Sequence, residues 1–111
     1  MAIINKFPDN LDAKTQYKLM KSPEVQRMMD ADGSVLELKS WLIYTDTSST
    51  GEDIEVLSVE TEAGELFSTI SQAFICDFKD IVEVFGGDFG ELKVLSRKSK
   101  AGRTYLVCTI V

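Results

Sequence analysis

The sequence predicts a mainly β domain that carries one helix and forms a small five-stranded barrel. Strand-like segments separated by turn residues recur along the last two-thirds of the chain. One stretch, Ser71 to Phe85, has apolar side chains at helical spacing, with serine ahead and Gly86-Gly87 behind. OB-folds commonly carry a helix at this place before the closing hairpin, so we expect an OB-like β-barrel.

The N-terminal third carries weaker signals. Two turn signals in residues 1–13 predict a loosely attached N-terminal arm, and residues 14–111 are expected to form the domain itself. Residues 15–22 are compatible with a strand or with one helical turn. Ser22-Pro23 then suits the N-cap and first position of a short helical turn over 22–29.

Residues 34–46 show the clearest strand alternation. One face would carry Leu36, Leu38, Leu42 and Tyr44. The other face mixes charged residues with Trp41 and Ile43, so Trp41 is expected to be partly exposed. Further strands are predicted at 53–61, from Leu66, at 91–96 and at 103–110, with a bulge between Val56 and Leu57 where the apolar alternation changes phase.

The composition indicates a binding protein rather than an enzyme. The chain has 111 residues, which suits one domain, and contains no histidine, the commonest general base at neutral pH. The P-loop, dinucleotide-binding and nucleophile-elbow motifs are absent. We therefore expect no catalytic residues and no cofactor.

The cysteine pattern predicts no metal site. Cys76 and Cys108 have no CxxC spacing and no histidine to assist them. Two buried thiols in a reducing cytosol are expected. No stretch approaches the roughly 20 apolar residues of a membrane span, and no signal-peptide pattern is present, so we expect a cytoplasmic protein without a membrane partner.

The formal charge of −6 is unevenly distributed. Residues 28–91 hold two basic residues against fifteen acidic ones, a balance of −13. Residues 92–111 hold five basic residues and no acidic one, and residues 14–27 have a balance of +3. If the two basic ends lie side by side, they form one basic face of the kind that binds nucleic acid.

Aromatic residues interleave with these basic residues. Single strands are bound by stacking bases on rings while cations follow the phosphates. Tyr44 aligns with leucines and is expected in the core, whereas Trp41 and Tyr105 are candidate platforms, although a lone ring on a strand is more often core. The predicted nucleic-acid contacts are Lys18, Lys21, Arg27, Lys39, Trp41, Lys93, Arg97, Lys98, Lys100, Arg103 and Tyr105.

From about Val35 onward the chain resembles the small single-stranded-DNA-binding proteins of tailed bacteriophages that replicate by protein priming. The resemblance rests on Gly51-Glu52, Ala63 to Ser71, Phe78-Lys79-Asp80-Ile81, Lys93-Val94 and Ser99 to Arg103. It implies an OB-like fold in the host cytoplasm and sequence-independent coating of single strands during phage DNA replication. The chain ends without an acidic tail, so tail-mediated recruitment of host replication proteins is not expected.

Two other functions remain open at this point. The acidic middle of the chain suits a protein-interaction module, such as a phage accessory protein or an inhibitor of a host protein. The Trp41 face alone supports an oligosaccharide- or peptide-binding barrel. Homo-oligomerisation, contacts with phage replication proteins and the role of residues 1–13 also remain open.

Overall fold

The computed structural model describes residues 2–111 and is mainly β, with two α-helices, a short 3₁₀ helix and a curled, open sheet. The strands are β1 (Ala2–Phe7), β2 (Gln26–Arg27), β3 (Val35–Thr47), β4 (Asp53–Thr61), β5 (Leu66–Thr69), β6 (Glu91–Lys98) and β7 (Thr104–Ile110). The helices are α1 (Ala13–Lys21), the 3₁₀ helix (Met28–Ala31) and α2 (Gln72–Phe85).

The sheet has the strand order β2-β5-β4-β3-β6-β7, with β1 added to β3. All pairings are antiparallel except that of β2 with β5. One edge of β3 pairs with β4. Its opposite edge pairs with β6 over residues 35–37 of β3 and with β1 over residues 41–45 of β3. The predicted mainly β class is confirmed, but the closed five-stranded barrel is wrong because the sheet stays open between β5 and β7.

A bulge in β3 decides which side chains are buried. The register with β4 shifts between Leu38 and Ser40, so the alternation changes phase at Lys39. Trp41 and Ile43 therefore continue the main-core face that Leu36 and Leu38 begin. The predicted bulge between Val56 and Leu57 is wrong, since those two residues pair regularly with β3 and face two different cores.

The main core lies between the curled sheet and α2. Ser71 caps α2 by accepting a hydrogen bond from the Phe74 amide at 3.3 Å, and Gly86 ends the helix with a positive φ of 84°. Phe74 and Phe78 are fully buried among β3, β4, β6 and β7 residues. The predicted helix between Ser71 and Phe85 is confirmed.

A second, smaller core lies on the other face of β3 and β4, under α1. Leu42, Tyr44 and Val56 point to this face and pack with Leu19 of α1 and Leu66 of β5. The local pattern of residues 15–22 allowed either a strand or a helical turn. Burial of these side chains against α1 stabilises the helix. Helix α1 and helix α2 consequently lie on opposite faces of the β3–β4 pair.

The N-terminal segment is part of the sheet rather than a loose arm. β1 pairs with β3 from Ala2 opposite Thr45 to Phe7 opposite Trp41. The rings of Phe7 and Trp41 stack with centroids 6.5 Å apart, which adds an aromatic contact to the backbone pairing. The N-terminal segment is thus attached through contacts with a strand distant in sequence, which the turn signals of residues 1–13 could not indicate.

The segment after α1 also differs from expectation. Ser22 is the C-cap of α1, and its amide donates to the Lys18 carbonyl at 3.1 Å, so it does not start a helical turn. A turn follows, in which the Val25 amide donates to the Ser22 carbonyl. The chain then forms β2 and the 3₁₀ helix, which carries Met28 into the main core.

The two thiols differ in environment. Cys108 is buried in the main core, whereas Cys76 on α2 is exposed, so the expectation of two buried thiols is wrong for Cys76. Burial, with a smaller effect of Asp77, raises the pKa of the Cys108 thiol to about 12. Neither α-helix within residues 2–111 has the length and apolar character needed to cross a bilayer.

Candidate nucleic-acid interface

The open sheet leaves a seam between the end of β5 and the start of β7. A cleft of about 490 Å³ occupies this seam, and its lining comes from parts of the chain far apart in sequence. These residues are Arg27, Met28, Met29, Ser68, Thr69, Ile70, Ser71, Thr104, Tyr105 and Leu106. One hydrogen bond crosses the seam, from the Ser71 hydroxyl to the Leu106 carbonyl at 3.1 Å. We call this feature the seam cleft.

The segment that closes the seam is attached to β6. The Gly33 amide donates to the Val94 carbonyl at 2.8 Å, and the Val94 amide donates to Ser34 at 3.0 Å. The Ser96 hydroxyl donates to the Asp32 carboxylate at 2.7 Å. Because the 3₁₀ helix directly precedes these bonds, Arg27 is held at the rim of the cleft.

The β6–β7 hairpin forms the basic side of the cleft. Across its ladder Arg97 lies opposite Tyr105, and Lys98 lies opposite Thr104. The tip is a tight turn, in which the Ser99 amide donates to the Arg103 carbonyl at 2.8 Å and Gly102 has a positive φ of 81°. The basic side chains of Arg97, Lys98, Lys100 and Arg103 are exposed, and residues 92–111 contain no acid to neutralise them.

Two side chains at the cleft suit a single strand of nucleic acid. Tyr105 is the aromatic residue in the lining of the seam cleft, and its 37% exposure offers a face for a base. The Arg27 side chain is 82% exposed and makes one ion pair, to Asp30 at 3.3 Å. An exposed pair of this kind contributes at most about 1 kcal/mol, so a phosphate can displace Asp30 at little cost.

The other predicted basic contacts are less well placed. Lys18 is 3.7 Å from the Glu60 carboxylate, which also accepts from Ser40, and Lys21 is exposed at the end of α1. Lys93 is half-buried on β6. Lys39 follows the part of β3 that pairs with Glu91, about 23 Å of strand away from the hairpin tip.

Trp41 is not a platform for bases, so that prediction is wrong. The side chain is 1% exposed, and its Nε1 donates to the Gly87 carbonyl at 3.0 Å. Its ring meets Phe78 edge to face with centroids 5.0 Å apart. The bulge at Lys39 turns Trp41 inward. The hypothesis of an oligosaccharide- or peptide-binding barrel rested on an exposed Trp41 and therefore loses its support.

The remaining rings divide between core and surface. Tyr44 is buried as expected, and burial, with a smaller effect of Asp46, raises the pKa of its hydroxyl. Tyr17 on α1 is 66% exposed, and the predicted contacts did not include it. Tyr17 follows Lys14 by three residues and precedes Lys21 by four, so the three side chains share one face of a helix. This spacing indicates a shared surface only once the segment is known to be helical.

Cation coordination is not indicated within residues 2–111, where no group of three or more His, Cys, Asp or Glu side chains is placed to hold a metal ion. Comparison with known proteins gives no family for the chain. It matches no protein-family model, no curated protein and no solved structure. A functional assignment therefore depends on the seam cleft and on the charge of the hairpin beside it.

Proposed function

We propose that this protein binds single-stranded DNA without sequence preference and protects it during phage DNA replication. The observation that carries the proposal is the seam cleft, which Arg27 and Tyr105 both line beside a basic hairpin that contains no acidic residue. Arg27 of the first basic segment thus lies on the same surface as the hairpin of the second, although the two are distant in sequence. The resemblance to phage single-stranded-DNA-binding proteins supports the same function.

The connectivity supports an OB-like assignment for β3 to β7. Three antiparallel strands are followed by α2, and the next strand, β6, returns to pair with the first of them. The hairpin β6–β7 then completes the order β5-β4-β3-β6-β7. An OB-fold is a partly open five-stranded Greek-key barrel that often binds oligonucleotides, and β1 and β2 would be additions to it.

In the proposed complex the phosphates follow the hairpin and a base enters the cleft. Arg97, Lys98, Lys100 and Arg103 form the backbone track, and Arg27 extends it across the seam. A base stacks on Tyr105, a contact worth roughly 1–3 kcal/mol. Met29 and Ile70 supply an exposed apolar surface beside the ring, which accommodates any base because none of these contacts reads base edges.

The overall negative charge is compatible with this function. Charges at the surface are screened over a Debye length of about 8 Å at physiological ionic strength, so a strand on the hairpin responds mainly to nearby groups. Asp30 and Asp32, on the segment that closes the seam, are already engaged by Arg27 and Ser96, and Asp77 and Asp80 line a neighbouring cleft with Arg97. A strand bound at the hairpin is therefore attracted locally, while most of the acids repel it weakly.

Titration of a fluorescent oligo-dT at two salt concentrations tests the proposal. We expect micromolar or tighter binding at low salt, with affinity falling as log salt rises at a slope of about 0.7 per phosphate contacted. Lys100→Glu should weaken binding at least tenfold. Lys39→Glu makes the same charge change at an exposed site far from the cleft and should change affinity less than twofold. Absence of binding at low salt would falsify the proposal.

A further inference from the structure

A groove of unusual composition runs along α2 and the end of β7, away from the seam cleft. Two adjoining clefts of about 340 Å³ and 690 Å³ share Phe85 and Ile110. Ile81, Val84 and Phe85 form a stripe at helical spacing, and Phe85 is 55% exposed. Ile110 and Val111 continue this apolar surface from β7, and contiguous exposed apolar surface of this kind marks an interaction site. We call it the α2–β7 groove.

The rim of the α2–β7 groove is mainly acidic, with Arg97 as the basic residue at the border with the hairpin. Residues 77–91 contain five acidic residues and one basic residue, Lys79. The Lys79 ammonium is 2.9 Å from both carboxylate oxygens of Glu55 on β4 and is neutralised there. Asp77 and Asp80 line one cleft, while Asp88 and Glu91 line the other. An apolar floor with an acidic rim fits a partner that presents lysines around an apolar or aromatic side chain.

Helix α1 of the same chain presents that chemistry. Residues 13–21 contain three lysines and no acid. Lys14, Tyr17, Lys18 and Lys21 share one helical face, and Tyr17, at 66%, is the most exposed aromatic residue of residues 2–111. Among residues 2–111 the Tyr17 ring belongs to neither core, because α1 buries its opposite side through Leu19.

We propose that α1 of one copy docks in the α2–β7 groove of a second copy, with Tyr17 against Phe85 and Ile110 and the lysines against the acidic rim. The two surfaces lie on opposite faces of the β3–β4 pair, so one molecule can use both at once. Such a contact joins two different surfaces and does not close on itself, and it therefore builds an open head-to-tail chain.

The contact gains its importance on a DNA strand, a step that rests on the proposed function. For neighbouring molecules bound to one strand, the effective concentration of one relative to the other is in the millimolar range, so a weak contact is sufficient to join them. The contact leaves the seam cleft and Lys98, Lys100 and Arg103 of the hairpin free to bind the strand, whereas Arg97 lies at the border between the two surfaces. Binding to long oligo-dT should then be cooperative, whereas binding to an oligonucleotide that holds one molecule should not be.

Sedimentation velocity of the full chain without DNA tests the self-association. We expect the wild-type protein to form species larger than a dimer as its concentration rises from 10 µM to 1 mM, and salt should dissociate them. Lys14→Gln with Lys21→Gln removes two of the three lysine charges of α1, and Asp80→Lys with Asp88→Lys reverses the groove rim. Each double variant alone should stay monomeric over this range, having lost at least tenfold in self-affinity.

An equimolar mixture of the two double variants is the decisive arm. Each variant keeps one intact surface, and the two intact surfaces are complementary, so the mixture should form one-to-one dimers and stop there. A wild-type protein that stays monomeric at low salt, a wild-type dimer that does not grow, or a mixture that stays monomeric while wild type associates would each overturn the proposal.

A control separates this inference from the proposed function. Lys98→Glu with Lys100→Glu alters the hairpin tip, which the proposed contact does not use. This variant should lose DNA binding and keep wild-type self-association. If the wild-type protein binds oligo-dT but does not self-associate, the head-to-tail contact is wrong and the proposed DNA binding stands. If it self-associates but does not bind DNA, the proposed function is wrong and the head-to-tail contact stands. Circular dichroism of every variant verifies that it is folded.

Discussion

Arg97 and Tyr105 are direct partners across the β6–β7 ladder, so a cation and an exposed ring stand side by side on the hairpin. Directly opposite residues on antiparallel strands have Cβ atoms about 5 Å apart on the same face. A nucleotide whose base stacks on the ring therefore brings its phosphate within reach of the guanidinium. The pair combines the two contacts that sequence-independent binding of single strands needs.

Tyr105→Ala is expected to weaken oligo-dT binding by roughly 5- to 100-fold, the equivalent of about 1–3 kcal/mol for one lost stack. Tyr105→Phe keeps the ring and should stay within threefold of wild type. With Arg97→Ala as the second substitution, a double-mutant cycle should show a coupling of at least 0.5 kcal/mol. Fluorescence anisotropy at fixed salt measures all four affinities. Strictly additive losses would show that the two side chains act on separate nucleotides.

Removing basic residues from the hairpin tip should lower the salt dependence of binding. Lys100→Ala and Arg103→Ala are each expected to reduce the slope of log affinity against log salt by about 0.7, because each removes one phosphate contact. Lys39→Ala is the matched control and should leave the slope unchanged. Titrations at four salt concentrations between 50 and 300 mM provide the slopes. An equal effect of all three substitutions would indicate a diffuse electrostatic attraction instead of a track.

Trp41→Ala should destabilise the fold by about 3–5 kcal/mol, the range for deleting a large buried aromatic side chain. Trp41→Phe should cost less, since it retains the ring contacts with Phe7 and Phe78 but loses the hydrogen bond to Gly87. Urea unfolding measures both free energies. The folded Trp41→Phe protein should bind oligo-dT as wild type does; a stable variant with a large loss of affinity would place Trp41 in the interface after all.

Local signals predicted those parts of the fold whose causes are local. Helix α2 follows from its apolar spacing, the Ser71 cap and Gly86, all contained within the segment itself. Helix α1 has no comparable stripe, and it forms because Leu19 covers Leu42 and Tyr44 on a strand more than twenty residues away. The pattern of residues 15–22 contains no information about the β3 surface on which the helix packs.

The candidate site required knowledge of the tertiary structure for the same reason. Alternation along β3 assigned Trp41 to the outer face, because the register with β4 that inserts the bulge at Lys39 is invisible in one strand. The charge distribution along the sequence identified two basic segments as candidates. Only the curl of the sheet decides that Arg27 and Tyr105 line the same cleft while Lys18 lies beside Glu60 on another surface.

The two thiols should differ sharply in reactivity and in their effect on stability. Cys76 is exposed and should react with a thiol reagent in the native protein, whereas Cys108 should react only on unfolding. Burial raises the pKa of the Cys108 thiol to about 12 in the folded state, from 9.0 for an unperturbed thiol. Because the raised value means that the folded state holds the proton more tightly, its contribution is complete below pH 9.

That contribution is lost as pH rises from about 9 towards 12, since the unfolded chain then releases the proton first. The free energy of unfolding should therefore fall between pH 8.5 and pH 10.5, and the fall should be smaller in Cys108→Ala. The Tyr44 hydroxyl, whose pKa is also raised by burial, should add to the decline and persists in that variant. Urea unfolding at each pH measures the difference; parallel profiles for wild type and Cys108→Ala would show that the buried thiol is not responsible.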